Sequence, residues 1–227
     1  MKITANFPLV MQCKLFEDVP ASVTNSFLSE CSLRHFDADT TVLQQGHLPE
    51  GICIIVAGKV EITYLSAEGH TSVIDHVSAP EIVGLVEAVA EQPCAATSVA
   101  FAQSTLVFCP PHVVKEGLLS PIMLRNFARI WAHMLLHDND FKSVDIFYTA
   151  EQRICRYLSQ FARGQSLFTR SQSYLANAVG CSRQTVNKEF GVLQDLGIIA
   201  RTDAGIRVID DDALHDRIRR IDDRNEA

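Results

Sequence analysis

The chain has 227 residues, 47% of them hydrophobic, so it can bury one large core or two smaller ones. It contains no run of about 18 or more apolar residues, so we expect no contact with a membrane. Its start has no basic segment leading into an apolar one, which argues against an export signal. Seven scattered cysteines without a CxxC pair argue against a disulfide framework and indicate reduced thiols of a cytoplasmic protein.

The net charge of −7 is unevenly distributed along the chain. Residues 1–150 carry eight Lys and Arg against 16 Asp and Glu, and residues 210–227 carry four against seven. Residues 151–209 carry eight against four, which leaves this segment with a net charge of +4. Binding to a nucleic acid requires such a local positive excess, because the phosphates must be neutralised. The segment 151–209 is therefore the expected nucleic-acid interface.

The N-terminal half is expected to form short helices followed by an antiparallel β-roll. Residues 8–35 look helical, and from about Phe36 short segments rich in Val, Ile, Thr and aromatic residues alternate with turn signals. Many short strands at close spacing favour a roll or barrel. The predicted strands are Thr41–Gln44, Gly51–Val56, Lys59–Leu65, Thr71–Val77, Ser98–Ala102 and Thr105–Cys109.

A long helix is predicted from Pro121 to about Tyr148, with two apolar stripes along it. The first stripe recurs at intervals of four and three residues, which is typical of a coiled-coil seam. We expect one stripe to pack on the protomer's own roll and the other on a second chain; a single broad stripe buried in one domain is the alternative. The stripe assigned to the dimer interface comprises Met123, Phe127, Ile130, Met134, His137, Phe141 and Val144. The second stripe comprises Leu124, Ala128, Trp131 and Leu135.

After an amphipathic helix at Glu151–Arg163, residues Gln172–Gly197 have the pattern of a helix-turn-helix. Gly180 ends the first helix, and Ser182 is a suitable N-cap for the second. The second helix should bury its apolar face, formed by Val186, Phe190 and Leu193. Its other face carries side chains that can bind phosphates and the edges of bases in a major groove. The predicted DNA-contact residues are Ser182, Arg183, Gln184, Asn187 and Lys188.

The segments that follow predict a wing and a charged tail. Ile198–Ala200 and Ile206–Ile209 flank a turn at Asp203–Gly205, as in a β-hairpin. Residues 211–227 are expected to form a short helix with a frayed end. Glu189 stands where many helix-turn-helix proteins keep an apolar residue.

The order of β-roll, long helix and winged helix-turn-helix resembles the Crp/Fnr family of bacterial transcription regulators. The most specific stretch is GCSRQTVNK at 180–188, which is similar to the family's GCSRETVGR. The resemblance implies an α+β fold with a sensor roll and N-terminal helices at 1–118, a dimerisation helix at 119–149 and a DNA-binding domain at 150–227. It also implies a homodimer bound to a palindromic promoter site, with RNA polymerase as a further partner and no enzymatic activity.

Two replacements in the resembling stretch predict an altered half-site. Gln184 stands in place of the family's base-reading glutamate, and Lys188 in place of its second arginine. A glutamine pairs naturally with adenine, whereas a glutamate accepts from cytosine. A lysine lacks the planar fork with which arginine reads guanine.

The family's cyclic nucleotide cassette, GEL followed by RS, is replaced here by Gly84–Leu85–Val86 and Ala95–Ala96. The carboxylate that holds the ribose is missing, as are the arginine and serine that hold the phosphate. Without the cation, an anionic phosphate loses charge-assisted hydrogen bonds. We therefore expect that the protein binds neither a cyclic nucleotide nor a cofactor. The sequence does not identify its effector. The tentative pocket comprises Gly84, Leu85, Val86, Ala95, Ala96, Asp138 and Asn139.

Several other modes of control stay open at this point. Iron–sulfur sensing is disfavoured because Cys13 and Cys31 do not form a tight cluster. Thiol oxidation would use Cys94, while Cys181 is expected to pack; an apolar effector, or none, completes the alternatives. Haem sensing would need axial ligands, for which the candidates are His47, His70, His76, Cys53 and Cys109.

The residues fit two other functions less well than that of a regulator. A cupin-like metalloenzyme would need clustered ligands such as HxH, and the histidines show no such spacing. A nucleotide-gated module without DNA function does not explain the basic helix-turn-helix segment.

Overall fold

The computed structural model describes residues 3–67, 69, 71–162 and 167–225, and the side chains at 137–147, 160, 162 and 220–225 are not described. The chain divides into two compact units. The N-terminal unit comprises residues 1–67 and 74–137, and the C-terminal unit comprises residues 68–73 and 138–227.

The N-terminal unit contains short helices and two β-sheets. It begins with α1 (Ile3–Asn6), two 3₁₀ helices (Pro8–Gln12 and Lys14–Phe16) and α2 (Ala21–Ser29). There follow β1 (Ser32–Phe36), β2 (Thr40–Leu43), β3 (Ile52–Ala57), β4 (Lys59–Leu65), β5 (Thr71–Ser78), β6 (Ile82–Val83), α3 (Leu85–Ala90), β7 (Thr97–Ala100), β8 (Ser104–Cys109) and α4 (Pro111–Gly117). The strand orders are β1-β8-β3-β6 and β2-β7-β4-β5, and the described pairings are antiparallel.

Strand β3 is buried on both faces and separates two hydrophobic cores. Successive side chains of a strand point to opposite faces. Ile52 and Ile54 accordingly pack with the N-terminal helices in the first core, whereas Cys53 and Ile55 pack between the two sheets in the second core. This burial explains why β3 reads as a continuous apolar run rather than an alternating one.

The predicted roll is confirmed, with four local corrections. Ser32–Phe36, most of which falls in the predicted helical segment 8–35, is strand β1, because it pairs in register with β8 from Ser32–Phe108 to Phe36–Ser104. Helices α3 and α4 and the two-residue strand β6 were not predicted, since none of them is long enough to show a clear period.

The remaining elements form the long helix and the C-terminal domain. They are α5 (Pro121–Phe147), α6 (Ala150–Ala162), β9 (Leu167–Phe168), α7 (Gln172–Ala178), α8 (Arg183–Asp195), β10 (Ile199–Thr202), β11 (Gly205–Val208) and α9 (Asp211–Asn225). The last three strands form an antiparallel sheet in the order β10-β11-β9. The predicted helix-turn-helix and wing are both confirmed, whereas β9 was not predicted.

The start of α6 is fixed by a capping box. The Thr149 N–H donates to Gln152 Oε1 at 2.8 Å, and the Gln152 N–H donates to Thr149 Oγ1 at 3.3 Å. Gln152 Nε2 also donates to the carbonyl of Ile218 at 3.0 Å, which joins α6 to α9. In the described part of the chain, no helix is long and apolar enough to cross a membrane.

Candidate nucleic-acid interface

Helices α7 and α8 are joined by a tight turn that the local sequence specifies. The Ser171 hydroxyl caps α7 by accepting from the N–H of Tyr174 at 3.1 Å. The chain then passes through Gly180 at a φ of 64°, a left-handed conformation that glycine adopts without steric cost. The Cys181 N–H closes the turn on the carbonyl of Ala176 at 2.9 Å.

The start of α8 is capped by Ser182, as predicted. Its hydroxyl accepts from the N–H of Thr185 at 3.0 Å. On the inner face, Val186, Phe190 and Leu193 are fully buried, which confirms the predicted apolar face. The helix is therefore fixed at its first turn and along its inner side, and its outer side is left for a ligand.

The outer face of α8 contains all five predicted DNA-contact residues, and each is exposed: Ser182, Arg183, Gln184, Asn187 and Lys188. Two cations and two amides thus lie within the first two turns of the helix. The free N–H groups of a helix N-terminus add partial positive charge at the same end. An anionic partner with polar edges, such as a duplex, matches this surface.

The wing carries two exposed arginines: Arg201 on β10, which bonds to Asn187 of α8, and Arg207 on β11. Its turn depends on Gly205, which has a φ of 141°. A Cβ there would collide with the carbonyl oxygen of Phe168 on β9. Glycine is therefore required where β9 and β11 approach each other.

Asn187 is not an isolated side chain on the exposed face. Its Oδ1 accepts from Gln172 Nε2 at 3.4 Å and from Arg201 Nη2 at 3.3 Å. These bonds join α7, α8 and the wing at one atom. The spacing of residues along the helix could not have predicted them, because both partners lie on other elements.

The inner face of α8 carries a buried charge, Glu189, whose partner the sequence did not reveal. Arg217 of α9 donates to both of its carboxylate oxygens, at 3.3 and 3.4 Å. The side chain of Glu189 is 3% exposed and that of Arg217 is 15% exposed. The Cys155 thiol also donates to Glu189, at 3.6 Å. Burial raises the pKa of Glu189 and the bonds from Arg217 lower it, with burial the larger effect. The acidic residue at a normally apolar position is thus explained by α9.

Comparison with known proteins agrees with this architecture. Residues 33–119 match the model of the cyclic nucleotide-binding domain, and residues 152–217 match the model of the Crp-like helix-turn-helix domain. The chain belongs to the Crp/Fnr family of transcription regulators. Like other Crp/Fnr proteins it carries a DNA-binding helix-turn-helix. Among curated proteins, none matches this Crp/Fnr chain.

Solved structures of similar architecture match most of the chain. FixK2 from Bradyrhizobium japonicum is 16% identical, with a TM-score of 0.70 and coverage of 82% of this chain and 96% of that one. The c-di-GMP responsive regulator CLP of Xanthomonas campestris is 20% identical, with a TM-score of 0.67 and coverage of 83% and 99%. The catabolite activator protein of Thermus thermophilus is 20% identical, with a TM-score of 0.54 and coverage of 92% and 99%. At these identities the likeness shows a shared fold.

In the Crp/Fnr sensor domain, the predicted effector pocket needs one correction. Gly84, with a φ of 79°, precedes α3 and directs Leu85 into the first core, where it is buried with the N-terminal helices. Leu85 therefore does not face the interior between the sheets. Val86 and Ala96 are partly buried and Ala95 is exposed. The side chains of the last two pocket candidates, Asp138 and Asn139, lie outside the described part.

The stripe of α5 that the sequence assigned to the dimer interface is partly buried in the protomer's own core. Met123 is 1% exposed and Ile130 is buried with it in the first core, so neither offers surface to a second chain. Phe127 packs partly against the same core. The predicted dimer seam is therefore wrong at Met123 and Ile130, because the helix turns this side toward its own domain. Met134 is exposed, and the remaining seam residues, His137, Phe141 and Val144, lie outside the described side chains.

A buried amide fixes this rotation of α5. Asn126 Nδ2 donates to the carbonyls of Leu15 at 3.1 Å and Glu17 at 2.7 Å. The second stripe is consequently left on the surface, with Leu124, Trp131 and Leu135 exposed.

The thiol proposed for oxidation, Cys94, and the haem candidate Cys109 are both buried and have raised pKa values. Cys94 is buried, and this raises its pKa. Cys31 and Cys109 lie side by side, because Ser32 pairs with Phe108 in the next register position. A hydrogen bond with Cys31 and burial raise the pKa of Cys109. A thiol held in its protonated form is a poor nucleophile, so no observation favours thiol oxidation at Cys94 or Cys109.

The haem candidates are not brought together. Cys53 and Cys109 lie in different cores, and burial raises the pKa of Cys53 to about 11. His76 Nε2 lies 3.1 Å from Glu61 Oε2, His47 is exposed, and His70 lies outside the described residues. Across the residues that the structure describes, no group of three or more His, Cys, Asp and Glu side chains could hold a metal ion.

Proposed function

We propose that this Crp/Fnr chain is a homodimer that binds a palindromic duplex site with two copies of α8. The observation that supports this most directly is the exposed face formed by Arg183, Gln184, Asn187 and Lys188 beside a basic wing. In a dimer of this kind the two recognition helices enter successive major grooves, roughly 34 Å apart. Selection of bound sequences from random DNA tests specificity and symmetry together. Recovery of an asymmetric motif, or of no motif, would count against the proposal.

The dimer contact is inferred to be the exposed stripe of α5, Leu124, Ala128, Trp131 and Leu135. Three of these are large apolar side chains, each about half exposed in the protomer, at 52%, 48% and 53%. Such a row on one helix face is typical of an interaction site. Trp131→Glu is expected to give a monomer by sedimentation velocity and to lose tight site binding. Leu48→Glu, at an exposed leucine of the roll, is the matched control and should stay dimeric; a dimeric Trp131→Glu chain would refute the assignment.

The half-site is proposed to differ from that of the best-known family members at the base facing Gln184. A glutamine amide can accept from adenine N6 and donate to its N7, whereas cytosine presents a donor to a carboxylate. Gln184→Glu is expected to shift the selected base at that position toward cytosine, and Gln184→Ala to leave it unselected. An unchanged base preference in both variants would contradict the proposal that Gln184 recognises this base.

Control by a cyclic nucleotide in the family's usual position is not expected. The residue that replaces the cassette glutamate, Leu85, is packed in the first core, and Ala95 and Ala96 offer a phosphate no charge. Calorimetry with cyclic AMP and cyclic GMP tests this directly, and c-di-GMP is a useful third ligand because one structural relative is described as responsive to it. Saturable binding of cyclic AMP or cyclic GMP would overturn this part of the proposal.

The proposed binding to promoter DNA also implies a location in the cell and a protein partner. A regulator of chromosomal promoters acts in the bacterial cytoplasm, and RNA polymerase is its expected protein partner. No observation favours the metalloenzyme hypothesis, which metal analysis of the purified protein tests.

A further inference from the structure

Three side chains from three elements meet at one oxygen atom, Oδ1 of Asn187. Gln172 reaches it from the first residue of α7, at 3.4 Å, and Arg201 from the wing, at 3.3 Å. A side-chain carbonyl oxygen has two lone pairs, so two donors occupy it fully. The orientation of the Asn187 amide is also fixed by chemistry. A guanidinium can only donate, so the atom that faces Arg201 has to be the oxygen.

This arrangement limits what Asn187 can read. An asparagine that recognises adenine accepts from N6 with its oxygen and donates to N7 with its amide nitrogen. Here the oxygen is already engaged, so Asn187 would have to release both Gln172 and Arg201 to make that pair. The sequence placed Asn187 among the DNA-contact residues, whereas its contacts favour a role other than reading a base.

The same bonds restrain Arg201. A free arginine side chain loses considerable rotamer entropy when it is immobilised on a ligand. Arg201 is held beside α8 before any ligand arrives, and a guanidinium carries five N–H donors, so most remain available. Phosphate oxygens receive half or more of the hydrogen bonds in protein–DNA interfaces, and arginine is a major source of them.

We propose that Asn187 is a positioning residue that presents Arg201 to a backbone phosphate, as part of one surface with α8. The proposal rests on the DNA binding proposed above. It extends that function by coupling the wing to the recognition helix through a side chain that reads no base.

A double-mutant cycle on the selected duplex tests the coupling, with affinity measured by fluorescence anisotropy over a range of salt concentrations. Arg201→Ala should weaken binding roughly tenfold and reduce the slope of log affinity against log salt by about 1. Asn187→Ala should also weaken binding, because Arg201 is released. The double variant should bind no more weakly than Arg201→Ala alone, since the second change removes nothing further.

Arg207 provides the matched control. It is an exposed wing arginine on the strand facing β10, where it pairs with Ala200. The fold-loss of affinity in the double variant of Arg207→Ala and Asn187→Ala should equal the product of the losses in the two single variants. Repeating the sequence selection with Asn187→Ala should return the wild-type motif.

Two results would overturn the positioning role alone. They are multiplicative effects of Asn187→Ala and Arg201→Ala, and a changed base preference in the Asn187→Ala selection. A wild-type chain that prefers no duplex would instead overturn the proposed DNA function together with this one. All five variants, including the two double variants, alter exposed side chains, and unchanged circular dichroism melting curves would exclude unfolding as the cause of weaker binding.

Discussion

Replacing Arg217 by methionine should destabilise the C-terminal domain strongly, because it leaves the carboxylate of Glu189 buried without its partner. The Glu189 side chain is 3% exposed and receives both guanidinium bonds. Removing one partner of a buried ion pair costs about 3–5 kcal/mol. Glu189 can relieve part of this by taking up a proton, since burial already raises its pKa, so we expect about 3 kcal/mol. For a domain of this size that corresponds to a midpoint lowered by roughly 12–24 °C.

Hydrogen exchange of the α8 amides is the suitable assay, because the single tryptophan, Trp131, lies on α5 rather than in the C-terminal domain. Arg219→Met on the same helix is the control. Arg219 is 77% exposed and pairs with Asp216 at 3.4 Å, and exposed pairs contribute about 0–1 kcal/mol. The double variant Glu189→Leu with Arg217→Met should recover most of the loss, because no charge is left buried. Equal protection of the α8 amides from hydrogen exchange in Arg217→Met and Arg219→Met would contradict the predicted stabilisation by the buried ion pair.

Three further outcomes follow from the same domain. Ser182→Ala should lower stability by about 1 kcal/mol in urea denaturation, because α8 loses its cap; a change below about 0.3 kcal/mol would contradict the capping bond. Gly205→Ala should destabilise the wing by more than the roughly 1 kcal/mol typical of glycine replacements, owing to the collision with Phe168 and a φ of 141°, and unchanged thermal stability would contradict it. Because the folded-state pKa of Glu189 is raised above 4.5, the folded form binds the proton more tightly, so its contribution should fall as pH rises from about 4.5 through the folded pKa. Glu189→Gln should flatten that part of the stability profile, and an unaltered profile would show that another group titrates.

Much of the helix-turn-helix could be predicted because its signals are local. Gly180 and Ser182 specify the turn and the cap within a few residues, and the spacing of Val186, Phe190 and Leu193 specifies the buried face. The wing and most strands of the roll were predicted for the same reason, since turn residues and strand periods act over short stretches. Strand β1 was missed because its identity depends on pairing with β8, more than 60 residues later.

Side-chain type and local spacing are enough to establish which faces are apolar, which segment is basic and where the chain turns. The tertiary structure was needed to show which stripe of α5 is buried, since Asn126, Met123 and Ile130 fix its rotation against residues far away in the chain. It also supplied Arg217 as the partner of Glu189, and Gln172 and Arg201 as the partners of Asn187. Each of these contacts joins different elements, so no periodicity within a single element could encode them.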